Sequence, residues 1–139
     1  MSTWLLERTV RHETKAVPEG VHYLRREVAK TLADWGIADP ADIVLACSEL
    51  ATNALRHGQT EVLSLELTAD ETTVYIAVPD ENPYPPYPAA ADNEDEDGRG
   101  IRLVAEVADA WGFRATHTGK SVFAEFRISS ALGQEVRPP

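Results

Sequence analysis

The sequence predicts an α+β two-layer sandwich: one mixed, mainly antiparallel sheet covered on one face by three helices. Three observations carry that prediction. Apolar residues recur at helical spacing in three stretches, near 18–35, 40–56 and 101–111. Two further regions, 63–78 and 113–128, alternate apolar and polar residues on either side of a short turn, as hairpins do. The signals run strand, helix, helix, strand, strand, long loop, helix, strand, strand, so the hairpins come with helices able to cover them.

Residues 4–10 place Leu6, Arg8 and Val10 on one side of a strand and Leu5, Glu7 and Thr9 on the other, a mixed pattern suited to a sheet edge. Pro18 fits the first turn of a helix. Val21, Leu24, Val28, Leu32 and Trp35 then form one stripe, and Gly36 closes it. After a short connection, Asp39 is the expected N-cap, with Pro40 at the first helical position and Asp42 in the first turn. This second helix runs to about Arg56 and ends at His57-Gly58, with Ile43, Cys47, Leu50 and Ala54 as its apolar stripe. Leu63, Leu65 and Leu67 mark a strand; a turn at 69–71 leads to a second, marked by Val74, Ile76 and Val78.

Residues 83–98 contain Pro83, Pro85, Pro86 and Pro88 and five carboxylates between 92 and 97, which excludes regular structure. A loop of this length in a compact domain acts as a lid or is disordered. Gly98-Arg99-Gly100 then opens a third helix, with Ile101, Val104, Val107, Ala108 and Trp111 as its stripe and Gly112 as its end. Residues 113–117 and 121–128 form the last hairpin around Thr118-Gly119-Lys120, and 130–139 read as a frayed terminus.

At 139 residues the chain reads as one domain, 1–139. A chain of this size buries roughly 68% of the surface that its unfolded form exposes. The net charge of -10 argues against a nucleic-acid binder and against attachment to anionic lipid. The single cysteine, Cys47, forms no intramolecular disulfide, and no apolar run approaches the length of a membrane helix; the expected location is cytoplasmic. His12, His22, His57 and His117 are scattered, which disfavours a metal site built from them.

Glu49, Asn53 and His57 stand at i, i+4 and i+8 and share a helical stripe. Taken singly, each has an ordinary explanation: a solvated charge, a surface amide, a cation at a helix end. Asp80 at a strand end is by itself a turn residue. Together with a long loop and a Gly-x-Gly helix start, whose first N–H groups suit an anion, they point to a phosphate-containing ligand under a lid.

These motifs resemble those of the GHKL (Bergerat-fold) ATPases, and among them the small bacterial anti-sigma factor serine/threonine kinases. Glu49-x-x-x-Asn53-Ala54-x-x-His57-Gly58 matches the N-box, Asp80-x-Asn82-Pro83 the start of the first glycine box, and Gly98-Arg99-Gly100-Ile101-Arg102 the second. Gly119-Lys120-Ser121-Val122 stands where the final hairpin closes the site. The resemblance spans about residues 10–128. It implies ATP and Mg²⁺ as cofactors. Asp80 would accept a hydrogen bond from the adenine amino group, Asn53 would coordinate Mg²⁺, and Glu49 would be the general base. Backbone groups around Gly98, Gly100 and Ile101 would hold phosphates, with Arg99 and Arg102 as charge partners, and His57, Asn82, Lys120 and Ser121 would border the nucleotide. It also implies a STAS-type anti-anti-sigma partner, a sigma factor and a homodimer.

Asn82 replaces the glycine of the first glycine box; asparagine accepts positive φ more readily than other non-glycine residues. The five carboxylates of 92–97 would repel a triphosphate, so that part of the loop is read as turned to solvent. Two functions follow. One is a protein kinase acting on a serine or threonine, favoured by Glu49 because nucleotide binding alone requires no base. The other is a non-catalytic ATP- or ADP-binding module that switches partners.

Overall fold

The computed structural model describes residues 7–85 and 99–128. Its elements in chain order are β1 (Arg8–Lys15), α1 (Pro18–Asp34), α2 (Ala41–His57), β2 (Val62–Ala69), β3 (Thr73–Asp80), α3 (Arg99–Val107), β4 (Ala110–Ala115) and β5 (Lys120–Arg127). The strands form one sheet in the order β1-β2-β3-β5-β4, antiparallel at all four pairings. β3 and β4 follow one another in sequence yet are not neighbours, because β5 lies between them. The three helices cover one face, with α2 in the middle against both α1 and α3.

The period-2 pattern builds the inner face of the sheet. Leu63, Leu65 and Leu67 of β2, Val74, Ile76 and Val78 of β3, and Val122, Ala124 and Phe126 of β5 are all buried. Against them pack Leu24, Val28 and Leu32 of α1, Ile43 and Leu50 of α2, and Ile101 and Val104 of α3. Each large aliphatic side chain buried here contributes about 1.5–3 kcal/mol as an upper estimate.

Helix α1 starts as expected, with Pro18 following an extended Val17. It ends in a Schellman motif: the Ile37 N–H reaches the Leu32 carbonyl and the Gly36 N–H that of Ala33, both at 3.0 Å. Gly36 adopts φ 75°, which a residue without a Cβ accepts at least cost. At the start of α2, Pro40 rather than Asp39 takes the cap position, and its carbonyl receives the Val44 N–H at 2.9 Å. Asp39 therefore lies one residue outside the position expected for it.

Two strand boundaries differ from the sequence reading. Among the described residues the first strand runs from Arg8 to Lys15, past the end expected near position 10, and all eight residues pair with β2, from Arg8↔Ala69 to Lys15↔Val62. Arg11-His12-Glu13-Thr14-Lys15 has no apolar alternation to reveal it; its edge position requires none. Its inward side is only half-buried and partly polar, with His12 Nε2 3.1 Å from Thr31 Oγ1. Trp4 and the other residues before position 7 lie outside the described residues.

The third helix stops at Val107 rather than near 111. The Asp109 N–H bonds to the Glu125 carbonyl and its carboxylate receives the Arg127 N–H at 2.7 Å, which starts a new strand pairing. Trp111 and Gly112 thus belong to β4, where Trp111 pairs with Ala124 and packs against the core.

Cys47 is 1% exposed in the middle of α2, and burial pushes its thiol well above the ordinary range. Thiol reagents act on the thiolate. Labelling with a disulfide-exchange reagent is accordingly expected to be complete in denaturant and to follow global unfolding in buffer; rapid labelling of the native chain would contradict the packing. No helix among the described residues is long and apolar enough to cross a membrane.

Candidate functional site

The last residue of β3 and the first of β5 are register partners, Asp80↔Lys120. Strand alternation turns both side chains inward, where they are 1% and 3% exposed. Lys120 Nζ donates to Asp80 Oδ1 at 3.1 Å and to the Asn82 carbonyl at 3.0 Å. It also lies 3.0 Å from Asp80 Oδ2, but without a hydrogen-bonding direction, and Oδ2 is a buried oxygen with no hydrogen bond. Buried ion pairs are costly to desolvate, and breaking one on a single side costs more than the pair contributes.

The segment after Asp80 ties this pair to the end of α2. The Asn82 N–H donates to Asp80 Oδ1 at 2.9 Å and the Asn82 side-chain amide donates to the His57 carbonyl at 2.6 Å. The Glu81 N–H donates to the Gly58 carbonyl at 2.8 Å, and Asn82 Oδ1 accepts from the Tyr84 N–H at 3.0 Å. Carbonyls at the end of α2, which have no helical partner, thereby gain donors. Asn82 does not adopt positive φ; Gln59, at 57°, is the only non-glycine residue that does so among the described residues. Asparagine at this place is explained by its side-chain hydrogen bonds rather than by backbone tolerance.

Two glycines allow the close approach. A Cβ on Gly58 would come within 2.6 Å of Asp80 Cβ, and one on Gly119 within 2.6 Å of the Glu81 backbone. Gly58 itself has ordinary helical dihedrals, φ -80° and ψ -12°, so close contact, not backbone freedom, is what requires glycine there.

A second meeting point lies one helix away. Glu49 and Asn53 are half-buried on α2, one turn apart. Gly100, in the first turn of α3, passes so close to Glu49 that an added Cβ would lie 2.7 Å from Glu49 Oε1. The carboxylate thus sits beside the start of a helix, where N–H groups lack partners and the macrodipole is positive. Gly100→Ala is expected to retain the fold, since alanine favours helix by up to about 1 kcal/mol over glycine. It should displace the Glu49 carboxylate, and any activity that depends on that group should fall more than ligand affinity does; equal losses in turnover and binding would show that the contact merely fills space.

Several expected residues stand apart from these contacts. Ser121 is the register partner of Pro79, on the sheet face opposite Asp80 and Lys120. The Ile101 side chain is 1% exposed in the core, which leaves only its backbone to meet a ligand. Arg102 extends along α3 to Glu106, with Nε 3.6 Å from Oε2. Gly98, the Arg99 side chain and the greater part of the 83–98 loop, including the carboxylates of 92–97, lie outside the described residues. No group of three or more His, Cys, Asp and Glu side chains able to hold a metal occurs among the described residues. Asn53, the one expected protein ligand, fits Mg²⁺ in its usual mode, with one or two protein oxygens and a shell completed by phosphates and water. A groove of about 390 Å³ lined by Ile37, Ile43, Val107 and Phe126 lies at the other end of α2 and contains none of these residues.

The family model for the histidine kinase-like ATPase domain matches residues 13–126. Among solved structures the chain is similar to the RsbU and RsbW domains of Rv1364c from Mycobacterium tuberculosis, with 18% identity and a TM-score of 0.67. That similarity covers 87% of this chain and 32% of the other, so the chain spans about a third of that protein's length. No curated protein sequence matches.

Proposed function

The chain belongs to the histidine kinase-like ATPase domain family, and from that premise we propose that it is an anti-sigma factor kinase that transfers phosphate from ATP to a serine or threonine of a STAS-type partner. The carrying observation is the contact between Glu49 and Gly100: a carboxylate held at the start of the helix whose N–H groups would bind phosphate. The shared fold with a structure containing an RsbW domain supports a regulatory, partner-switching role. A homodimer, and sequestration of a sigma factor, are part of the same proposal.

Phosphoryl transfer requires mainly positioning and neutralisation of charge. In the proposed reaction the substrate hydroxyl oxygen bonds to the γ-phosphorus, its proton passes to Glu49, and the bond to the bridging oxygen breaks to release ADP. Asn53, one turn beyond Glu49, would contribute an oxygen to Mg²⁺. The ion would neutralise charge on the phosphates. Asp80 is the proposed acceptor for the adenine amino group.

The binding-only alternative, a module that holds ATP or ADP in the same pocket and switches partners without transfer, is kept open by Asn82-Pro83 standing in place of the glycine of the first glycine box. Incubation of the full chain with γ-labelled ATP, Mg²⁺ and a serine-bearing STAS domain separates the readings. Label on the partner serine is the expected result. ATP binding with neither labelling nor turnover would overturn the kinase reading in favour of the binding module.

A further inference from the structure

We propose that Lys120 is a positioning residue for base selection: it holds Asp80 as a charged acceptor with one oxygen reserved for the exocyclic amino group of adenine. The inference rests on the ATP reading above and adds to it a residue that acts through Asp80 rather than on the phosphates.

Three observations carry it. The Lys120 ammonium is fastened at two points, Asp80 Oδ1 and the Asn82 carbonyl. Asp80 Oδ1 is thereby shared between that ammonium and the Asn82 N–H. Asp80 Oδ2, although 3.0 Å from Nζ, is left as a buried acceptor with no hydrogen bond. An oxygen whose one neighbour is the ammonium, met without a hydrogen-bonding direction, keeps lone pairs that a ligand donor can fill. Because the pair is 1% and 3% exposed, a base reaches Oδ2 only by displacing part of the enclosure, and its amino group then repays the displacement with a charge-assisted bond.

The chemistry of the donor matters. A charged carboxylate only accepts, so it suits the amino group of adenine and repels the carbonyl oxygen at the same position of hypoxanthine. Without the ammonium the carboxylate is neither fixed in place nor compensated, and its discrimination between the amino group of adenine and the carbonyl of hypoxanthine weakens. Lys120 therefore sharpens the base preference of this aspartate.

The test compares dissociation constants of ATP and ITP, each with Mg²⁺, for the full chain and for Lys120→Gln and Lys120→Arg, with circular dichroism of each apo protein as the control for folding. Lys120→Gln keeps a donor for the Asn82 carbonyl and removes the charge. The native chain is expected to favour ATP, Lys120→Gln to lose at least about tenfold of that preference, the equivalent of one good hydrogen bond, and Lys120→Arg to retain most of it. If Lys120→Gln does not fold, the double substitution Asp80→Asn with Lys120→Gln supplies a neutral pair. Its amide both donates and accepts, so its ATP-to-ITP ratio should approach one. A folded Lys120→Gln protein with the native ratio overturns the role of Lys120 and leaves the ATP reading standing, whereas the native ratio in the double variant overturns base selection by the Asp80–Lys120 pair. Failure of the native chain to bind either nucleotide overturns both.

Discussion

Glu49→Gln is expected to slow phosphoryl transfer by about 10²–10⁴-fold while ATP affinity stays within a few-fold of native. In free energy this is about 3–5 kcal/mol of lost transition-state stabilisation. Glutamine matches the size of glutamate, so the packing against Gly100 survives, and only the capacity to take a proton is removed. The change also removes a negative charge from the start of α3, which should favour triphosphate binding slightly. Affinity and rate are therefore expected to move in opposite directions, a pattern that a folding defect does not produce. Single-turnover transfer to a saturating STAS partner, measured beside an equilibrium titration of ATP, gives both quantities. Transfer within about threefold of native would mean that Glu49 is not the base, and that the contact with α3 is only structural.

Asp80→Ala should be among the most destabilising single changes in the chain, independently of any ligand. Lys120 is 3% exposed, so removal of its partner leaves a buried ammonium with only the Asn82 carbonyl. Breaking a buried pair on one side typically costs about 3–5 kcal/mol. For a domain of this size that corresponds to a fall in melting temperature on the order of 10–15 °C. The double substitution Asp80→Leu with Lys120→Met removes both charges and fills a similar volume, and it is expected to recover most of the loss. A single variant as stable as the native chain would mean that the pair is solvated in solution. A double variant no better than the single would locate the cost in the packing of Gly58 and Gly119 against Asp80.

The architecture was legible in the sequence wherever burial leaves a periodic trace. The three apolar helix stripes, the hairpins led by Leu63 and Val122 and the Gly36 stop all depend on local patterns, and each corresponds to an observed element. The pattern was silent or misleading where pairing rather than burial decides. β1 consists of polar residues on an edge, held by β2, and its sequence alternates too little to be seen. Trp111 continues the apolar period of α3, yet hydrogen bonds from Asp109 to β5 convert that segment to strand.

The site divides along the same line. By itself the sequence determined that Glu49, Asn53 and His57 share one helical stripe and that a glycine-flanked helix start follows a long proline-rich loop, both consequences of spacing along the chain; the order of these motifs added a resemblance to the GHKL ATPases. Only the tertiary structure decided what these groups meet. It brought Gly100 against Glu49, turned Ser121 to the opposite face from Asp80, and closed Lys120 onto that aspartate with one oxygen left over. The physical reason is register. The side-chain period of a strand is two, so whether Lys120 or Ser121 faces the helices depends on which residue stands opposite Asp80 across a pairing forty positions distant.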